Sequence, residues 1–303
     1  MDVLTDLLQR SRARGAAFSR STLHGQWGLT FPVNGTLAIH AIVDGEMFAW
    51  TDDPGRATHV IGGDVLLLRA SPHHLGTAPG VSTVPFVSLL GNRVSARCAR
   101  VGSPTDGPAG EFCCGAYLFE GDLSTPLIES LPSLVRLRPT AGSPLRVTID
   151  LLVAEMAGDG PGQQALLDRL LDVALVQSLR SWFAQAETVP GWFRAMDEPG
   201  LGDALRAVHA DPARAWTVGS LAGLANSSRS KFARRFAEVV GAPPLQYLTD
   251  WRIALAKERL RDTDDGLAAI ASSVGYGSEF SFASAFKRQV GIPPGRWRLE
   301  HAP

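Results

Sequence analysis

Apolar positions in the last third of the chain recur at helical spacing, and they do so twice. In residues 218–241 (VGSLAGLANSSRSKFARRFAEVVG), Leu221, Ala222 and Ala225 share one face of a short leading helix. Phe232, Phe236 and Val240 share one face of the next, at i, i+4, i+8 spacing. In residues 267–291 (LAAIASSVGYGSEFSFASAFKRQVG), Ile270, Ala271 and Val274 take the first part and Phe282, Phe286 and Val290 the second. Each copy ends at a glycine followed closely by Pro-Pro, at Gly241-Ala242-Pro243-Pro244 and Gly291-Ile292-Pro293-Pro294, which stops a helix. Between the copies, residues 245–261 (LQYLTDWRIALAKERLR) predict a helix of roughly 25 Å at 1.5 Å per residue.

Packing each aromatic stripe against its leading helix makes two helix-turn-helix units, over 217–241 and 266–291. The packing turns Arg229, Ser230, Ala233 and Arg234 outward in the first unit and Glu279, Phe280, Ala283, Ser284 and Lys287 in the second. Such faces fit a major groove, and the intervening helix lets them enter successive grooves about 34 Å apart. Lys231, Arg235, Ser278 and Arg288 flank these faces and complete the candidate DNA-contacting set, with Lys231, Lys287 and Arg288 assigned to phosphates.

The pattern upstream has a period nearer two. From residue 18 to 123, short apolar and β-branched runs alternate with Gly, Asp and Pro: WGLTF, TLAIHAIV, MFAW, HVI, DVLLLRA, VPFVSLL, RVSARCARV and EFCCGAYLF. Their even spacing predicts an all-β barrel or sandwich. Asp44-Gly45 is a tight hairpin signal, and Gly62-Gly63-Asp64 is another turn. Residues 124–135 form a short proline-bounded segment, and 162–186 a long helix. Leu167, Leu170, Leu171, Ala174, Leu175, Val176, Leu179, Trp182 and Phe183 give that helix a wide apolar stripe, which either packs on the barrel or forms a dimer seam. Pro190, Gly191 and Pro199 mark residues 187–199 as a hinge. The expected α+β, two-domain organisation is a barrel over 1–123, a helical dimerisation segment over 124–186, the hinge, and an all-α region over 200–303.

Charge sharpens this division. Residues 200–303 carry 14 Lys and Arg against 10 Asp and Glu, whereas the rest carries 15 against 20, within a chain of net charge −1. The basic C-terminal third suits DNA, and the mild balance predicts low non-specific affinity at physiological salt. No apolar run approaches the ~20 residues of a membrane span, and the N-terminus lacks the apolar core of a signal peptide. Three cysteines in a chain of 303 residues argue against a secreted disulfide scaffold and for a reducing cytoplasm.

The segments SRSKFARRF, YLTDWR, IASSVGYGSEFSFASAFKR and GIPPGRWR, in this order over residues 200–300, resemble the AraC/XylS family of transcription regulators. The resemblance implies DNA reading by Ser230, Ala233 and Arg234 and by Glu279, Phe280 and Ser284, a homodimer, and work alongside RNA polymerase. The chain departs from the family by placing Phe280 and Ala283 where polar readers are often found, which points to methyl or shape contacts there. The order TLAIHAIVDGEMFAW, then GGDVLLLRASPHH, resembles the cupin barrel fused ahead of such DNA-binding regions.

Cupin enzymes hold a metal with two His and a Glu in the first motif and one His in the second. By that resemblance His40, Glu46 and His74 fall at three ligand positions, with Ile42 at the fourth, so a divalent metal in the barrel and a hydrogen-bonded core His40 are both open readings. Without metal, the barrel mouth remains a pocket for a small effector. A hairpin about Asp106 would place Cys98 opposite Cys114 as a redox pair, against the alternative that both are small buried hydrophobes. The resulting expectation is a cytoplasmic, non-enzymatic transcription regulator that answers to a small-molecule effector. Its rivals are a cupin-type metal-dependent enzyme fused to a DNA-binding domain, a redox- or metal-sensing regulator, and a constitutive DNA binder with a vestigial barrel.

Overall fold

The computed structural model describes residues 2–10, 12–14, 18–31, 36–69, 72–89, 98–101, 104–107, 109–120, 128, 130–187 and 189–301. Its strands are β1 (Arg12–Arg14), β2 (Phe18–His24), β3 (Gly28–Phe31), β4 (Thr36–Asp44), β5 (Glu46–Trp50), β6 (Thr58–Ile61), β7 (Val65–Arg69), β8 (His73–Gly76), β9 (Val84–Pro85), β10 (Cys98–Val101), β11 (Ala109–Glu120) and β12 (Leu134–Leu137). Its helices are α1 (Val3–Arg10), α2 (Phe86–Leu89), α3 (Pro144–Met156), α4 (Gln163–Gln185), α5 (Gly191–Asp197), α6 (Leu201–Ala210), α7 (Val218–Leu224), α8 (Arg229–Val240), α9 (Pro244–Asp262), α10 (Leu267–Ser273), α11 (Glu279–Val290) and α12 (Pro294–His301).

Two compact units result. One contains residues 13–119 and 128–187, and the other residues 1–12, 120–127 and 188–303. In the first, a seven-stranded sheet runs β10-β2-β11-β4-β7-β12, with β1 also on β11, and a five-stranded sheet runs β6-β5-β8-β3-β9. Residues of both sheets, among them Leu23, Leu29, Phe31, Ile42, Met47, Leu66, Leu75 and Phe112, share one buried cluster. Strand alternation sends Ile39, Ala41 and Cys113 to the other face of the larger sheet, where Ile149 and Leu152 of α3 and Leu171 of α4 cover them.

Most of the expected strands form, but VPFVSLL is strand only at Val84–Pro85 and helical over Phe86–Leu89, and strand pairing does not follow the sequence pattern. Asp44-Gly45 does turn at Gly45, at φ 79°, yet β4 and β5 are not a hairpin. The chain crosses there from the larger sheet to the smaller, and it returns at Gly62-Gly63-Asp64 between β6 and β7. The two corners brace each other, because Gly62 N–H donates to the Gly45 carbonyl at 2.9 Å and Gly63 N–H to the Ile42 carbonyl at 2.7 Å. Asp64, buried, accepts from Arg138 Nε at 3.1 Å and from Ile61 N–H at 3.1 Å.

The segment expected to be wholly helical from 124 to 186 includes a strand. Most of residues 124–129 lie outside the described residues, while β12 pairs antiparallel with β7. On α4, Leu167, Leu171, Ala174, Leu175, Leu179, Trp182 and Phe183 are buried, so most of the wide stripe is used within this unit, in packing that includes α3 and β12.

Among its described residues the second unit is mostly helical, and it holds two surprises. Residues 187–199, expected as a hinge, contain α5, which packs on α8 so closely that a Cβ at Gly191 would run into the carbonyl oxygens of Val239 and Val240. The first helix of the chain also belongs here: α1 buries Val3, Leu4 and Leu7 and packs on α5 and α6, so residues 1–12 are not part of the sheet-rich unit. Its Asp6 joins His209 of α6, fully buried, and His209 in turn meets Tyr247 of α9.

Candidate nucleic-acid interface

The two helix-turn-helix units are built alike. In the first, Thr217 caps α7 in a reciprocal box with Ser220, and Ser228 Oγ accepts from Lys231 N–H to start α8. In the second, Ser278 Oγ accepts from Ser281 N–H at 3.2 Å to start α11. Both second helices end in left-handed glycines, Gly241 at φ 90° and Gly291 at φ 88°. The tight turn inside each unit needs a positive φ, supplied by Asn226 at 46° in one and Gly275 at 83° in the other. Asn tolerates that region better than most side chains, which explains how the first turn forms without glycine. Phe232, Phe236, Phe282 and Phe286 are buried, each contributing roughly 1.5–3 kcal/mol through removal from water. The 19-residue α9 joins the two units.

At 100° per residue, the direction opposite the buried phenylalanines of α8 is taken by Ser230 and Arg234, both exposed. Arg229 and Lys231 are also exposed, and Ala233 is half-buried. Arg235 points elsewhere. Its Nε and Nη2 donate to Glu198 Oε1 and Oε2 at 2.7 and 2.8 Å, with Glu238 3.6 Å away, so a residue expected at the DNA is clamped to the segment after α5. Sequence reasoning missed Glu198, which sits 37 positions away and carries no local pattern.

On α11 the outward row is Phe280, Ser284 and Lys287, with Glu279 and Arg288 exposed beside it. The exposed Ser278 also accepts the helix-capping hydrogen bond from Ser281 N–H. Phe280 is 83% exposed, an unusual place for a phenyl ring.

The expected metal trio is not brought together. His40 is buried with its Nε2 2.7 Å from Nε2 of His73, not near His74. His73 stacks on Phe31 at 4.9 Å, and Phe112 closes on His40 at 6.0 Å. Because successive strand residues face opposite sides, His74 turns away, stacks on Trp50 at 5.3 Å and meets Thr30 Oγ1 at 3.0 Å. Glu46 is exposed and pairs with His59 at 3.1 Å. Among the described residues no three His, Cys, Asp or Glu side chains are grouped to hold a metal ion. Burial foremost, and His73 second, hold the His40 imidazole well below its ordinary pKa, so it is a neutral core residue.

The Cys98–Cys114 pairing is also corrected. β10 and β11 do not form a hairpin; β2 lies between them, with Arg20 opposite both Cys98 and Cys113. Two inter-strand spacings amount to about 9.5 Å, beyond disulfide reach. Cys114 Sγ instead lies 2.9 Å from Ser19 Oγ, and burial pushes its thiol up to about 11, away from reactive thiolate.

Two helix-turn-helix units with exposed second helices, following a two-sheet domain in sequence, define a DNA-binding protein of two parts. A helix-turn-helix domain family matches residues 221–300, and a cupin family matches residues 2–184. An AraC-like transcription regulator of Streptomyces antibioticus is 32% identical over 100% of both chains, and another from Streptomyces lividans is 33% identical over 98% of each. The HTH-type transcriptional regulator AlkR of Acinetobacter baylyi is 28% identical over 99% of this chain and 100% of its own. The chain belongs to the AraC-like transcription regulators, and it is a DNA-binding regulator, not an enzyme. Among the described residues no helix is long and apolar enough to cross a membrane.

Proposed function

We propose that this regulator reads an asymmetric site with two chemically different faces, and that a small organic effector bound in the sheet-rich unit controls it. The observation that carries the reading is the outward rows opposite the buried phenylalanines, Ser230 and Arg234 on α8 and Phe280, Ser284 and Lys287 on α11. Arg234 reads a base edge, and Lys287 and Arg288 hold phosphates and set register. An organic effector is favoured over metal or thiol sensing because the candidate ligands have separate partners and the two cysteines sit on strands parted by β2.

The protein acts in the cytoplasm as a homodimer that works with RNA polymerase. Support for the dimer lies in Val147 and Leu151 of α3 and Leu166 and Val173 of α4, apolar side chains left exposed beside the buried stripe. Leu151→Glu then yields a folded monomer by sedimentation, with native far-UV circular dichroism and a melting temperature that no longer depends on protein concentration; a monomeric native chain contradicts the seam.

A ligand screen by thermal shift tests the effector. A true effector stabilises the full chain by mass action, by about 2.7 kcal/mol at one hundred times Kd, and does so equally in His74→Ala and Cys98→Ser. Operator affinity that collapses on chelation, or that responds only to oxidant, overturns this reading.

A further inference from the structure

We propose that Phe280 is a specificity-determining residue of the second reading helix, its ring seated on the C5-methyl of thymine in the major groove. The inference rests on the reading of α11 as a DNA-facing helix. Phe282 and Phe286 fix the core side of α11, and at 100° per residue Phe280 stands opposite them in the first turn, 83% exposed. The first turn of a recognition helix is the part nearest the base edges. A phenyl ring held in water there gains free energy only when a partner covers it.

The neighbouring groups narrow what that partner is. Ser278 Oγ accepts from Ser281 N–H at 3.2 Å and Ser281 Oγ donates to the Ser278 carbonyl at 2.8 Å, so both hydroxyls serve the cap. Glu279 offers carboxyl oxygens and no nitrogen donor. From position 279 to 286 the sequence EFSFASAF contains no Arg or Lys to read guanine and no Asn or Gln to read adenine. The thymine methyl is the base mark that an apolar side chain reads in the major groove. In α8 the matching position is Ser230, followed by Arg234, so the two helices divide the work: a guanidinium donor in the first, a methyl contact in the second.

Uracil replacement tests this, because it removes the methyl and nothing else. The full-length protein first selects its site from a pool of random duplexes, and each thymine of that duplex is then replaced in turn. For the native chain, one or two positions under α11 lose about fourfold in affinity, the share of one buried methyl. In Phe280→Ala those positions become insensitive to uracil, while every other position behaves as in the native chain; Phe280→Leu keeps part of the sensitivity. Insensitivity of the native chain throughout, or the same penalties in Phe280→Ala, overturns the proposal. A footprint on the same duplex separates two failures. Missing protection under α11 removes the DNA-facing reading itself, and protection without methyl dependence removes the role of Phe280 alone.

Discussion

Asp6 and His209 stand 203 positions apart in sequence, yet Asp6 Oδ2 lies 2.7 Å from His209 Nδ1 with both side chains fully buried. The other imidazole nitrogen lies 2.7 Å from the Tyr247 hydroxyl, and the ring packs 4.3 Å from Trp251. These contacts join α1, α6 and α9 through three polar groups, of which Asp6 and His209 are fully buried and Tyr247 half-buried. Asp6 also contributes to raising the Tyr247 phenol pKa, after burial.

Removing one partner from such a pair leaves the other buried without compensation. Asp6→Ala is expected to destabilise the DNA-binding unit by about 3 kcal/mol, although Asp6 is outside both helix-turn-helix units. Denaturant unfolding followed by tryptophan fluorescence measures this, since Trp251 lies against His209. A cost below about 1 kcal/mol would show that the contact is incidental.

His40 gives the sheet-rich unit a pH dependence of known sign. Burial and the neighbouring His73 hold its folded pKa well below the ordinary imidazole value, so below about pH 6.5 the unfolded chain binds a proton that the folded chain refuses. The stability associated with neutral His40 is complete above that pH and is lost as pH falls, at up to about 1.4 kcal/mol per pH unit. Melting curves from pH 7.5 to 5.5 should show a shallower decline in His40→Phe than in the native chain. Equal slopes would remove His40 from the titration.

Two adjacent arginines are expected to behave differently at DNA. Arg234→Ala costs about 1–3 kcal/mol at the selected site and less on random duplex, because it removes a base contact. Arg235→Ala costs little, since Glu198 already holds that guanidinium. Glu198→Ala releases Arg235, raises affinity for random DNA and steepens the salt dependence by about one unit. Fluorescence anisotropy across a salt series measures all three, and equal losses from Arg234→Ala and Arg235→Ala would contradict the assignment.

These contrasts also show where sequence reading reaches and where it stops. The helical repeat was legible because its determinants are local: a cap, a turn residue, aromatic side chains four apart and a terminal glycine. The sheets were legible as strands and not as pairings, because Asp44-Gly45 looks the same whether the chain folds back or crosses to another sheet. A displacement of one residue exchanged His73 for His74 in the core, since period-two alternation turns neighbours to opposite faces. Glu198 with Arg235, and Asp6 with His209, are pairings between segments remote in sequence that no periodicity announces.

The claim that one chain reads two successive major grooves with two different chemistries is tested most directly by a hydroxyl-radical footprint of the full-length protein on its selected duplex. The account predicts two protected patches on one face of the DNA, about 34 Å apart for each protomer, over unlike sequences. It also predicts that Ala254→Pro, which breaks the connecting α9, uncouples the patches. An inverted repeat with a single protected patch per protomer would contradict it.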